Sequence, residues 1–170
     1  MAESSLRAAR SSRRGGLPNA LFVVAAAECP PEELAGLADE LTVLFPWGSL
    51  LRGTLALDDV AASGIARLVR VGGRVEAFVS ITERDGLGLP LFCLEDGALI
   101  AGRWACHGLT LEGFAPATAD EIPTTGSTWA RRLDAGRARG AGRRPPESGD
   151  PQRPAWRLAL RRNGGLAPGQ

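Results

Sequence analysis

The chain has 170 residues, 44% of them apolar and 23% charged, enough for one domain with its own core. Every one of its twenty basic residues is Arg, and a net charge of +1 hides an uneven spread. Three scattered cysteines without a C-x-x-C pair argue against both a disulfide framework and a zinc site, and no apolar run approaches the ~20 residues of a membrane span.

Residues 1–15 carry four Arg and one Glu, residues 16–128 six Arg against fifteen acids, and the stretch from Trp129 onward ten Arg against three acids. Clustered Arg suits a polyanion such as nucleic acid; the alternative is a solvated basic tail. Residues 1–17 read as a polar, Arg-rich lead-in, with a short polar helix over 3–13 and a break at Gly15-Gly16. This lead-in lacks an apolar core and a cleavage signal, so the expectation is a cytoplasmic protein.

Leu21 to Ala27 is a continuous apolar run, as in a strand buried on both faces, and it delivers Glu28. Pro30 and Pro31 followed by Glu32 and Glu33 suit a first helical turn. Leu34, Leu37, Ala38 and Leu41 then share one helical face. A second strand, Leu41 to Phe45, would close a right-handed βαβ unit. It leads into Phe45-Pro46-Trp47-Gly48-Ser49. In an open α/β sheet, ligands bind at the carboxyl ends of the strands, which makes Glu28 and Trp47 candidate site residues. Glu28 could accept hydrogen bonds from a ligand or simply favour the start of the next helix, and Trp47 could be a stacking platform or a core indole.

Further along, Gly48–Leu57 reads as a helix. A second, capped by Asp58 or Asp59 and lined by Ala61, Ile65 and Leu68, ends at Gly72-Gly73. Val75, Ala77, Val79 and Ile81 alternate as a strand. After a loop at 84–90 come a helix marked by Leu94, Ala98, Ala101 and Ala105, then a strand over Leu109–Phe114. Trp129–Leu133 looks helical, residues 140–154 have the Gly/Pro/Arg composition of a flexible loop, and Trp156, Leu158 and Leu160 mark a last strand. The apolar periodicity puts Trp104 and Trp156 in the core. His107 and Cys106 read as structural, and Gly86-Leu87-Gly88 runs into Pro90 rather than opening a phosphate-binding helix.

The segments NALFVVAAAE, FPWGSLLRG and STWARRL, in that order, resemble the aminoglycoside-resistance methyltransferases of 16S ribosomal RNA that act on N1 of adenine 1408. The resemblance covers residues 1–139 and 153–162. It implies a class I S-adenosylmethionine-dependent methyltransferase, a Rossmann-like α/β fold, represented by its C-terminal half. It implies that Trp47 and Trp129 sandwich the flipped adenine, with Ser127 helping to position it. Ala27, Glu28, Leu44, Pro46 and Ser49 would line the S-adenosylmethionine pocket, and Arg132, Arg137 and Arg139 would grip RNA phosphates. No metal is implied.

The implied partner is 16S rRNA in the assembled small subunit, met by a monomer. The final strand would slot antiparallel between its two predecessors in the sheet. Family members begin with a strand and an acidic Gly-rich turn for the cofactor, which this sequence does not show. The expectation is therefore a fragment with an aggregation-prone apolar edge at Leu21–Ala27 that binds the cofactor poorly alone. A non-catalytic RNA-binding remnant is the alternative; methylation of a small molecule would leave the basic C-terminal segment unexplained.

Overall fold

A computed structural model describes residues 10–17, 19–81, 96–118, 120–121 and 155–164. Its centre is a four-stranded sheet in the order β1-β2-β4-β3, with β1 at Ala38–Leu44, β2 at Val69–Ser80, β3 at Leu109–Pro116 and β4 at Ala155–Arg162. β1 and β2 run parallel, and β4 lies antiparallel between β2 and β3. The last strand thus takes the place the resemblance implied.

Among the described residues, three helices cover one face: α1 (Gly48–Thr54), α2 (Asp59–Leu68) and α3 (Asp96–Ala105). Asp58 caps α2 with its carboxylate, which accepts from the Val60 and Ala61 N–H groups, satisfying two of the donors a helix start leaves open. Leu51 and Leu55 around α1, Ile65 of α2 and Ile100 and Trp104 of α3 form one buried cluster with Val43, Val75, Val79, Leu158 and Leu160 of the sheet. Trp104 is fully buried and its indole N–H donates to the Thr54 carbonyl at 3.2 Å; Trp156 is buried as well and stacks on Phe114. Both core assignments agree with the structure. The other sheet face carries a small buried cluster of Phe45, Phe78 and Ala155 beside ion pairs, with Arg157 bridging Glu76 and Glu121 and Arg161 meeting Glu112.

Two expectations need correction. Leu21–Ala27 is not a sheet strand: it pairs with no strand among the described residues and leaves Leu21 and Val24 each 80% exposed. Among the described residues, β1 stands at one edge of the sheet instead and β3 at the other. Nor does a helix join that segment to the sheet. Only a 3-10 turn forms, Glu32–Leu34, and the chain reverses at Gly36, whose φ of 67° suits a residue without Cβ and whose N–H donates to the Arg67 carbonyl. The apolar spacing from Leu34 to Leu41 mimics a helical stripe, but Leu37 is 65% exposed and β1 already begins at Ala38.

Smaller boundary shifts follow. α1 stops at Thr54 rather than Leu57, and β2 starts at Val69, so Gly72-Gly73 lies within a strand. The loop at 84–90, the helix at Trp129–Leu133, the 140–154 segment and most of the 3–13 helix lie outside the described residues. Ser12–Arg14 forms a 3-10 turn.

Candidate cofactor and target-base site

The carboxyl end of β1 turns sharply. Phe45 takes a φ of 48°, a region that costs a non-glycine residue energy, and its N–H donates to the Phe78 carbonyl at 2.7 Å while its ring packs against Phe78. Pro46 is buried behind it. Trp47 follows in extended conformation as the N-cap of α1, and Gly48 has a φ of 61°. This turn throws the Trp47 side chain outward, where it is 82% exposed. An indole is rarely left so bare in a folded domain unless something is to cover it.

Trp47 stands over a cleft of about 640 Å³ between the Val23–Glu28 segment and β1. Ala27, Glu28, Leu44, Trp47 and Ser49 all line it, so the structure brings together five of the site residues drawn from the sequence. Pro46 supports the turn without lining the cleft. The Ser49 hydroxyl is the main influence lowering the Glu28 pKa below the ordinary carboxylate value, aided by Glu28's own backbone N–H and opposed by desolvation and the Asp58 charge. Ser127, Trp129, Arg132, Arg137 and Arg139 lie outside the described residues.

The sequence reading missed three features. Val23, Thr42 and Leu50 also line the cleft. Gly64 on α2 lets the segment approach: a Cβ there would fall 1.8 Å from the Ala27 carbonyl oxygen. Thr118 and Glu121 form a reciprocal capping box, the Thr118 N–H donating to the Glu121 carboxylate at 2.8 Å and the Glu121 N–H to the Thr118 hydroxyl at 3.3 Å. The T-x-x-E spacing was its signal. His107 is structural as expected, tying α3 to α2 through the Ser63 hydroxyl at 3.1 Å with Asp59 3.4 Å from its other ring nitrogen. Among the described residues no cluster fit for a metal ion occurs.

The cleft suits a nucleoside-type cofactor on one side. Its volume is that of a small-molecule site, its walls are apolar at Val23, Leu44 and Leu50, and Glu28 and Ser49 supply the few polar groups that fix orientation. A sheet with a parallel β1–β2 pair, an antiparallel strand between β2 and β3, and a ligand cleft at the carboxyl edge define a class I methyltransferase fold.

Similarity narrows the class further. Residues 1–143 match the model of the NpmA family, 16S rRNA (adenine(1408)-N(1))-methyltransferase. The chain belongs to that family. It is 37% identical over 136 residues to an rRNA methyltransferase of Saccharopolyspora hirsuta, covering 75% of this chain and 85% of that one. It is 30% identical to the Escherichia coli 16S rRNA (adenine(1408)-N(1))-methyltransferase, covering 74% of this chain and 61% of that one. Among solved structures, a W203A mutant of the Catenulisporales acidiphilia 16S rRNA (adenine(1408)-N(1))-methyltransferase with cosubstrate SAM matches with a TM-score of 0.77 at 26% identity, over 99% of this chain and 73% of that one. The chain therefore spans about three fifths to six sevenths of the curated relatives' lengths.

Proposed function

We propose that this chain carries the target-base platform and one wall of the cofactor site of an S-adenosylmethionine-dependent methyltransferase acting on N1 of adenine 1408 in 16S rRNA, a modification that confers aminoglycoside resistance. The observation that carries this reading is Trp47, exposed on a strained turn above the cleft that Glu28 and Ser49 line.

N1 of a paired or stacked adenine is out of reach, so the base must be turned out of the RNA at a cost of a few kcal/mol. Trp47 offers one flat apolar face to that base, and Trp129 is assigned the other; stacking on aromatic side chains is worth ~1–3 kcal/mol per base. Ser127 is assigned a positioning contact, and Arg132, Arg137 and Arg139 the phosphates, which fix register without reading sequence. When bound, S-adenosylmethionine supplies an electrophilic methyl carbon on its sulfonium. Glu28 and Ser49 accept and donate hydrogen bonds to polar groups of the cofactor, while Ala27 and Leu44 pack its apolar parts. N1 of neutral adenine already carries the lone pair that would form the new N–C bond as the methyl–sulfur bond breaks. A neutral thioether would leave and the positive charge would pass to the methylated base, so no residue is required to remove a proton. The chain's contribution is orientation and exclusion of water. The partner is the assembled small subunit in the cytoplasm, met by one copy of the chain.

The test is incubation of small ribosomal subunits with the protein and S-adenosylmethionine, read as a reverse-transcription stop at adenine 1408. A stop lost in Trp47→Ala supports the assignment. Subunit binding without any stop, in a preparation that binds the cofactor, overturns it in favour of an RNA-binding role.

A further inference from the structure

Glu28 and Pro30 line two clefts at once. On one side lies the cleft read as the cofactor site. On the other is a second of about 340 Å³, bounded by Asp59, Ser63 and Arg67 of α2. The turn that carries Glu28, closed by the Cys29 N–H donating to the Ala26 carbonyl at 3.2 Å, is therefore a partition with open space on both sides. A wall of that kind keeps its place through tethers rather than through packing.

α2 supplies the tethers. Ala61, Gly64 and Arg67 recur at three-residue spacing, which brings them to one side of the helix. Ala61 meets α1, the helix that carries Ser49: a Cβ on Gly53 would lie 2.5 Å from the Ala61 Cβ. Gly64 admits the Ala27 carbonyl, one residue before Glu28. Pro30 is buried, so its carbonyl needs a donor, and the Arg67 guanidinium provides it at 3.0 Å. The Arg67 carbonyl in turn accepts from the Gly36 N–H at 2.8 Å. Arg67 thus grips the loop from Pro30 to Gly36 at both ends, and one helix sets the positions of Ser49 and Glu28 together.

We propose that Arg67 is a positioning residue for the cofactor site: by clasping Pro30 and Gly36 it keeps Glu28 beside Ser49 in the cofactor cleft. It touches neither the cofactor nor the target base. The inference rests on the cofactor reading of that cleft, but the hold of Arg67 on Glu28 is measurable without any ligand.

Its test is carboxyl-carbon NMR titration of Glu28 in the unaltered chain, in Arg67→Met, in Ser49→Ala and in the two combined. Arg67→Met keeps an apolar stem and loses the donors. It should raise the Glu28 midpoint, because the carboxylate drifts from the side chain that most depresses it. Removing a nearby positive charge would raise the midpoint as well, and the double variant separates the two causes. Acting by position, Arg67→Met adds nothing once Ser49 is gone, whereas an independent charge effect adds in full. Arg67→Lys, which retains a donor on a long stem, should restore the unaltered titration. In methylation assays Arg67→Met should raise KM for S-adenosylmethionine roughly fivefold with kcat at saturation unchanged. Arg103→Met, which removes a comparable bond to the Ala56 carbonyl, should leave that KM alone. An unmoved Glu28 midpoint, full additivity, no rescue by Lys, or an equal rise in KM from Arg103→Met would each overturn the proposal. Absence of methyl transfer by the unaltered chain would sink the activity assignment, while the Glu28 titration would still decide whether Arg67 holds the site.

Discussion

Ser49, in the first turn of α1, and Glu28, at the end of the Leu21–Glu28 segment, line the same cleft, and the Ser49 side chain is the largest influence holding the Glu28 carboxyl below its ordinary value. The pair joins two residues proposed for the cofactor, and its influence keeps one of them ionised further into acid.

Because Ser49 is the largest of the influences lowering the Glu28 pKa, Ser49→Ala should let it rise toward the ordinary carboxylate value. The sign of the linkage follows from that direction. A carboxylate with a depressed folded-state pKa adds stability that is present above its unfolded pKa and is lost as pH falls through its folded pKa. The Glu28 contribution is therefore intact at neutral pH and disappears only in acid below the ordinary carboxylate range. Carboxyl-carbon NMR titration of the two proteins checks the prediction; identical Glu28 titration curves would rule out the Ser49 contact as the cause.

Gly64→Ala tests the approach of the segment to α2. The added Cβ would meet the Ala27 carbonyl oxygen at 1.8 Å, so backbone must move. Overpacking of this kind costs about 1–3 kcal/mol. A lower thermal midpoint should accompany displacement of Ala27 and Glu28 and a Glu28 titration closer to normal. An unchanged midpoint would show that the segment does not rest on α2 in solution.

The sheet and helices beyond Gly48 were legible because their signals are local. Asp58 precedes an apolar helical stripe, and Val75 to Ile81 alternates with period two. The Phe-Pro-Trp-Gly turn announced an exposed indole through its own steric demands. What failed was the segment from Leu21 to Leu41. Its apolar run describes a buried strand, but burial requires neighbours, and none pairs with it among the described residues. The helix read after Pro30 rested on four apolar positions, whereas Gly36 in the left-handed region fixes a reversal that periodicity does not reveal. Gly64 was invisible as a site residue because its role depends on a carbonyl 37 positions away.

Two tryptophans separate function from stability. Trp47 is 82% exposed and Trp104 is fully buried with a hydrogen-bonded indole N–H. Trp47→Ala should leave the unfolding free energy within about 0.5 kcal/mol while abolishing the reverse-transcription stop at adenine 1408. Trp104→Ala should cost about 3–5 kcal/mol through the cavity it leaves. Denaturant unfolding of both variants makes the comparison. A large destabilisation from Trp47→Ala would mean that the indole is packed in solution and unavailable to a base.

The arginines beyond Trp129 call for a different measurement, since a phosphate contact and a stacking contact respond differently to salt. Each phosphate neutralised by the protein releases counterions, and log K falls with log salt by roughly 0.7–0.9 per contact. Replacing Arg137 and Arg139 together with Ala should therefore weaken small-subunit binding and lower the salt slope by about 1.4–1.8. Trp47→Ala, which removes stacking and no charge, should weaken binding with the slope intact. Filter binding over a range of KCl concentrations distinguishes the two. If the double Arg variant keeps the original slope, the basic stretch is a solvated tail and the RNA is gripped elsewhere.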